Sequence, residues 1–284
     1  MTPSLSDFAR RIPPFHVMAL LERAQALSAQ GHDVIHLEVG EPDFDTPDFI
    51  KDAAKAAMDR GETKYTAVDG TPELKDAIIN KFKRDNKLTY DRSQIVVSTG
   101  AKQSLYNVAQ VCLNPGDEVL LPCPYWVSYS DIVKLAEGVP VEVETSLDTD
   151  FKMTPEQLEA AITPKTKMLW YSSPCNPSGT VYTKEELSAI AKMLEKYPDI
   201  YIISDEIYEH INFTDAHFSI GTIPSMKERT ITVNGVSKGF AMTGWRVGFM
   251  GAPLWIAKAC NKVQGQITSA TCTIAQKAAE TAML

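Results

Sequence analysis

The sequence lacks the features that mark several classes of protein. It has 28 Lys and Arg against 36 Asp and Glu, a net charge of −8. This disfavours nucleic-acid binding, which needs a basic face to displace counterions from phosphates. No apolar run approaches the roughly 20 residues of a membrane-spanning helix, and no basic-then-apolar leader opens the chain. We therefore expect a cytoplasmic protein with no nucleic-acid or membrane partner.

Cysteine and glycine motifs are also missing. The five cysteines form no C-x-x-C pair, and their odd number argues against a disulfide framework. The phosphate-binding patterns G-x-G-x-x-G and G-x-x-x-x-G-K-[ST] are absent, which disfavours a plain nucleotide-binding domain. His32 and His36 have the spacing of a metal pair on a helix, but the alternating segment 33–39 predicts a strand. We therefore expect no metal site.

Strands and helices alternate along most of the chain. Seven apolar or β-branched segments predict strands, near residues 95–98, 118–121, 139–143, 167–171, 200–204, 230–233 and 247–251. Helical patterns lie between several of them and also before them and at the chain's end, at 17–30, 46–59, 71–86, 102–112, 125–135, 155–161, 184–197 and 274–284. This rhythm predicts an α/β fold: a doubly wound, mostly parallel seven-stranded sheet. Ligands of such sheets bind beyond the carboxyl ends of the strands.

Lys238 and Arg246 share one loop beyond a predicted strand. Lys238 follows the β-branched run 230–233, where its amine can lose solvation and form a Schiff base with an aldehyde cofactor. Arg246 comes eight residues later and offers a planar fork suited to a phosphate. An amine and a phosphate clamp together point to pyridoxal 5'-phosphate (PLP).

Further polar segments follow other predicted strands. The turn Gly100-Ala101-Lys102 opens a helix whose unpaired N–H groups suit a phosphate. One of the two aromatics Tyr125 and Trp126 can stack on a flat ring, and Asn176 can donate to a phenolate oxygen. Asp205 can pair with a protonated ring nitrogen, and Tyr208 can donate to the ring oxygen. Each has an ordinary structural explanation alone: a turn, a packed aromatic, or a helix N-cap aspartate.

Three motifs carry a family resemblance: Asn176-Pro177-x-Gly179, Asp205-Glu206-x-Tyr208 and Ser237-Lys238-x-Phe240-x-Met242-x-Gly244-x-Arg246-x-Gly248. They resemble the motifs of the class I aminotransferases, PLP enzymes of fold type I. Within these the chain resembles the bacterial aspartate aminotransferase subgroup, from about Gly31 to the last residue.

The resemblance implies roles for these residues. The catalytic residues are Lys238, which carries the Schiff base, Asp205, which pairs with the pyridine nitrogen, and Tyr208. Tyr65 matches a tyrosine that reaches the phosphate of the neighbouring subunit, so a homodimer is expected. The implied cofactor-binding residues are Gly100, Ala101, Lys102, Trp126, Asn176, Asp205, Tyr208, Ser237, Lys238, Arg246 and Tyr65. The implied substrate-binding residues are Gly40, Trp126, Asn176 and Lys102.

The resemblance also implies a reaction and a domain plan. The reaction is transamination of an amino acid, aspartate or glutamate, with 2-oxoglutarate as acceptor. Residues 1–45 are expected to form an N-terminal arm and part of a small domain, and residues 46–284 the PLP-binding large domain. Chains of the family run further, so the C-terminal small domain is expected to be absent and activity weak or nil. Another PLP reaction such as a lyase, or an inactive fragment that still binds PLP, remains open. The segment 12–17 departs from aspartate-specific relatives, which leaves an aromatic or neutral donor open.

Overall fold

One seven-stranded sheet is the centre of the fold in the computed structural model, which describes residues 6, 9–10, 12–14, 16–37, 39–214 and 217–284. Its strands are β1 (Ile95–Ser98), β2 (Glu118–Pro122), β3 (Val139–Val143), β4 (Thr166–Ser172), β5 (Tyr201–Asp205), β6 (Thr230–Gly235) and β7 (Gly248–Gly251). They are ordered β1-β7-β6-β5-β4-β2-β3. All pair in parallel except β7, which runs antiparallel to both of its neighbours. The predicted α/β class and mostly parallel sheet are confirmed.

The described helices fall close to the predicted ones, except that the helix Leu254–Ile267 was not predicted. They are α1 (His16–Ala29), α2 (Asp48–Asp59), α3 (Pro72–Lys81), α4 (Ala101–Cys112), α5 (Ser128–Leu135), α6 (Pro155–Ala161), α7 (Lys184–Leu194), α8 (Leu254–Ile267) and α9 (Thr273–Met283). At the start of α3 the Thr71 hydroxyl accepts a hydrogen bond from the Leu74 amide, with proline at the first helical position. The predicted helix over 71–86 is split, because residues Phe82–Asn86 form a π-helical turn. Among the described residues, no helix is both long and apolar enough to cross a bilayer.

The chain divides into two units, residues 1–44 and residues 45–284. In the first unit the predicted strand over 33–39 is wrong. Residues 32–37 have no regular secondary structure, and Glu38, like Phe15 in the divergent segment 12–17, lies outside the described residues. The alternating Ile35 and Leu37 are exposed. Alternation alone does not make a strand, because the backbone also needs a partner to complete its hydrogen bonds.

The reversed direction of β7 determines which residues lie at the edge of the sheet formed by the carboxyl ends of the parallel strands. Gly248, the first residue of β7, pairs with Ser98 at the carboxyl end of β1 and with Gly235 at the carboxyl end of β6. Residues just before β7 therefore lie at the same edge as residues that follow the parallel strands. For this reason Arg246, which precedes a strand, joins side chains that follow strands.

Apart from the edge strand β3, the strands are largely buried on both faces, as in other doubly wound sheets. Successive side chains of β4 point to opposite sides. Met168 and Trp170 join a cluster formed with α4, α5 and α8, whereas Leu169 and Tyr171 join a cluster formed with α6 and α7. A third cluster packs α2, α3 and α9 against β1 and β7. Helices on both sides thus hold the strand ends in fixed positions.

Gln264 of α8 is a fully buried polar link between elements of this core. Its amide nitrogen donates to the carbonyls of Val68 and Val97, at 2.7 and 2.8 Å. Its oxygen accepts from the Ser98 hydroxyl at 2.6 Å and the Asn107 amide at 3.0 Å. One side chain therefore connects β1, α4 and α8 with the segment before α3.

We predict that Gln264→Ala lowers the free energy of unfolding by about 2–4 kcal/mol, because several buried polar groups lose their partner. Denaturant unfolding followed by circular dichroism measures this change. The control is Gln110→Ala, because the half-buried Gln110 makes a single long contact to Leu135, at 3.4 Å. An equal loss in both variants would contradict the prediction.

Candidate active site

An anion-binding corner forms where the β1–α4 turn meets Arg246. Gly100 has a φ of +85°, and a Cβ there would overlap the Arg246 guanidinium, so glycine lets the guanidinium lie directly against the turn. Arg246 also donates to the Thr243 carbonyl, at 3.0 Å. The Lys102 ammonium lies 4.7 Å from the centre of the Trp126 ring. Burial and then the Arg246 charge lower the pKa of Lys102. Two cations and the N-terminus of α4 thus converge at one point.

A second corner brings together Asn176, Tyr208 and Lys238. The Asn176 amide donates to the Tyr208 hydroxyl at 3.3 Å. The Lys238 ammonium lies 5.8 Å from the centre of the Tyr208 ring. Burial, and then the nearby negative charge of Asp205, raise the pKa of Tyr208. Its phenol therefore keeps its proton at neutral pH and can donate a hydrogen bond.

Asp205 ends β5 as a buried carboxylate, 4% exposed. It accepts a hydrogen bond from the Tyr129 hydroxyl at 2.7 Å and another from the Ile207 backbone amide at 3.2 Å. Burial raises its pKa to about 6, although both hydrogen bonds oppose the rise. In the described part of the chain no lysine, arginine or histidine is ion-paired with it. A buried carboxylate without a counter-charge is costly unless a cation joins it.

Tyr129 is a site residue that the sequence reasoning missed. Its ring stacks on Trp170, with centroids 5.2 Å apart, and meets the edge of Trp126 at 5.6 Å. The available signal was its spacing, because Tyr129 lies three residues after Trp126 within the predicted helix 125–135. The contact with Asp205 spans 76 residues and has no local signature.

Three further predicted site residues are Tyr65, Ser237 and Gly40. Tyr65 is 96% exposed and therefore projects into solvent. Ser237 is buried, and its carbonyl accepts a hydrogen bond from the Met242 amide. Gly40 is exposed and belongs to residues 1–44.

A buried polar network lies behind Asp205 and Tyr208. The Glu206 carboxylate accepts hydrogen bonds from Ser204, Ser219 and Asn86 and contacts His217, all within 2.9 Å. Burial raises the pKa of Glu206, but the charge and hydrogen bond of His217, together with the Ser219 hydrogen bond and the Lys81 charge, hold the pKa below its usual range. Burial lowers the pKa of His217, but Glu206 outweighs burial and raises it.

Glu209 extends this network. It forms an ion pair with the buried Lys81 and accepts hydrogen bonds from Asn86 and Asn234, at 2.6 and 2.7 Å. Glu206, Glu209 and His217 have the composition of a metal-ligand group. Lys81 already supplies a cation beside that group. We therefore interpret the network as structural support that holds the segment carrying Asp205 and Tyr208 in place.

We predict a loss of stability as pH rises through the raised pKa of His217. The imidazolium stabilises the fold fully below the unfolded histidine pKa, near 6.5, and this contribution disappears as the folded group deprotonates. His217→Gln should lower the free energy of unfolding at pH 6 and flatten its decline towards pH 9. Urea unfolding across this range measures both effects.

The exposed His32 provides the control, because His32→Gln should keep the parent profile. A His217→Gln variant with an unchanged slope would contradict the assignment.

Known proteins are similar to this chain in sequence and fold. Residues 32–284 match the family described as aminotransferase class I and II. The chain is 53% identical over 277 residues to the aspartate/prephenate aminotransferase of Cereibacter sphaeroides, across 97% of this chain and 69% of that protein.

Solved structures agree. The aspartate aminotransferase of Rhizobium meliloti superposes with a TM-score of 0.95 at 45% identity, covering 99% of this chain and 71% of that one. The aspartate aminotransferase of Thermus thermophilus with maleate gives the same score and identity, covering 99% and 73%. The chain therefore belongs to the class I and II aminotransferases.

Proposed function

We propose that this chain holds PLP on Lys238 and transaminates aspartate or glutamate, with 2-oxoglutarate as the acceptor. The observation that carries the proposal is the convergence of Lys238, Asp205 and the Arg246–Gly100 corner at one edge of the sheet. The family is one that uses PLP. The match to an aspartate/prephenate aminotransferase supports the donor and makes prephenate a second candidate acceptor.

The residues present fit the cofactor. Gly100 leaves room for the Arg246 guanidinium against the turn, which gives a phosphate two kinds of donor in one place. Asp205 is buried with two hydrogen bonds but no cationic partner in the described residues, and a protonated ring nitrogen would supply that charge. When bound, PLP supplies an electron sink for the bond electrons at the substrate α-carbon.

Each side chain then has a defined task. Arg246 and the Gly100-Ala101-Lys102 turn would hold the phosphate, and Trp126 would cover the ring. Tyr208, with its hydroxyl in contact with Asn176, would donate to the ring oxygen, while Asp205 would keep the ring nitrogen protonated. Lys238 would hold the aldehyde carbon, and once the amino group of the substrate had displaced its amine, that amine would move the proton from the substrate α-carbon.

The assembly and location are part of the proposal. We propose a homodimer in which Tyr65, 96% exposed, reaches the phosphate of the partner subunit. Residues 1–45 are assigned to an N-terminal arm and part of a small domain, and residues 46–284 to the large domain. The five free cysteines support a reducing, cytoplasmic location.

Two alternatives use the same site. A PLP lyase needs no second oxo acid, so turnover that depends on an added oxo acid favours transamination. A chain that binds PLP without turnover is the other alternative. It is identified by cofactor absorbance that does not respond to amino acids.

We predict that borohydride reduction of the PLP-loaded protein attaches the pyridoxyl group to the Lys238 peptide, as read by mass spectrometry. Lys238→Ala should lose this label and at least about 10³-fold in turnover, because it removes both the amine and the general base. The exposed Lys262 gives the control, since Lys262→Ala should keep label and turnover. Labelling of any other peptide, or turnover at the parent rate, would refute the proposal.

We predict that Lys102→Gln lowers kcat/KM for aspartate about 10- to 100-fold more than for phenylalanine. Lys102 is half-buried beside Trp126, so it can pair with the side-chain carboxylate of an acidic donor. Because both donors need the same cofactor, their ratio cancels any effect on PLP. Steady-state kinetics with the two donors measures this ratio, and Lys134→Gln serves as the exposed control. Equal losses for both donors would show that Lys102 does not select the substrate.

A further inference from the structure

We propose that Tyr129 is a positioning residue for Asp205: its buried phenol fixes the orientation and charge of the carboxylate that faces the ring nitrogen. This inference rests on the proposed function, because it assigns a second residue to the recognition of that nitrogen.

The geometry leaves the Tyr129 hydroxyl little freedom. The side chain is 1% exposed. Its ring is stacked almost parallel to Trp170, at an interplanar angle of 11°, and stands nearly perpendicular to Trp126, at 89°. Its hydroxyl donates to Asp205 Oδ2 at 2.7 Å, while the Ile207 amide donates to Oδ1. The two donors hold the two oxygens and so set the plane of the carboxylate.

The hydrogen bond also favours the charged carboxylate. Burial and then the Asp205 charge raise the pKa of Tyr129 well above its ordinary value, so the phenol keeps its proton and remains a donor. Glu206, next in sequence, opposes ionisation of Asp205. Of the other titratable groups nearby, Cys175 also raises the pKa of Tyr129, and the Asp205 charge raises the pKa of Tyr208. Without the Tyr129 hydroxyl, a single backbone donor would remain against burial and the Glu206 charge.

The same tyrosine connects two parts of the site. Trp126 belongs to the segment between β2 and α5, whereas Asp205 ends β5. Tyr129 contacts both residues. It therefore supports both the Trp126 ring, which covers the cofactor, and the Asp205 carboxylate, which faces the ring nitrogen of the cofactor. A role limited to packing would need the aromatic ring but not its hydroxyl.

The test compares binding of PLP with binding of 1-deazapyridoxal phosphate, in which carbon replaces the ring nitrogen. The parent protein should bind PLP more tightly. In Tyr129→Phe, which keeps the ring, this preference should shrink about tenfold or more, the usual worth of a hydrogen bond to a charge. The pH midpoint at which PLP binding weakens on acidification should also rise by about one to two units. Tyr90→Phe is the control, because this buried phenol donates to Thr232 instead, at 3.2 Å.

A double-mutant cycle with Asp205→Asn separates positioning from packing. Tyr129→Phe should leave the PLP preference unchanged in the Asp205→Asn background, because the group through which it acts is gone. Equal weakening of both ligands by Tyr129→Phe, or an unchanged preference and midpoint, would overturn the inference while leaving the proposed function intact. A parent protein that does not bind PLP would overturn both.

Discussion

A carboxylate removed from water dominates this site. Asp205 carries its charge at the end of β5, where burial opposes ionisation, and two hydrogen bonds partly offset that cost. Its sequence neighbour Glu206 is equally buried but is held ionised by His217 and Ser219. The two adjacent carboxylates therefore have opposite pKa shifts, because Glu206 has the His217 imidazolium as a partner, whereas Asp205 has two neutral hydrogen-bond donors. Of these two carboxylates, Asp205 is the one that has no ion pair among the described residues.

The residues behind Asp205 explain why it can be held in that position. Lys81, Asn86 and Asn234 reach the Glu206–Glu209 segment from α3, the π-helical turn and β6. Each buried charge in this network has a partner, as buried ions require. The network fixes the backbone from one side, and the Tyr129–Trp170 stack fixes the Asp205 side chain from the other. Rigid support of this kind lets a few polar atoms keep their geometry without contacting solvent.

The sequence predicted the strands and the loop residues because their signals are local. Apolar runs bounded by turns give the strands, and parallel strands bring Asn176, Asp205 and Lys238 to one edge. The direction of β7 has no such signal, because the apolar run 247–251 predicts a strand without indicating whether it pairs parallel or antiparallel to its neighbours. The prediction of a strand over 33–39 was wrong because a strand also needs a neighbouring strand to complete its backbone hydrogen bonds.

Long-range contacts were beyond reach for the same reason. The bond from Tyr129 to Asp205 and the bond from Asn86 to Glu206 join residues 76 and 120 positions apart, and neither leaves a pattern in the neighbouring sequence. The π-helical turn that places Asn86 interrupts an otherwise continuous helical pattern.

The adjacency of β6 and β7 has a consequence for how the protein opens. Residues 236–247 leave the sheet from one of these strands and return on the other, with Gly235 paired to Gly248. The ends of this segment are held together by that pairing, so closing the loop costs little further entropy. Lys238 and Arg246 are both within it. Because Gly248 pairs with both Gly235 and Ser98, fraying at this end of β7 would have to break its pairing with both neighbours, and it would then release the amine and the guanidinium in one event.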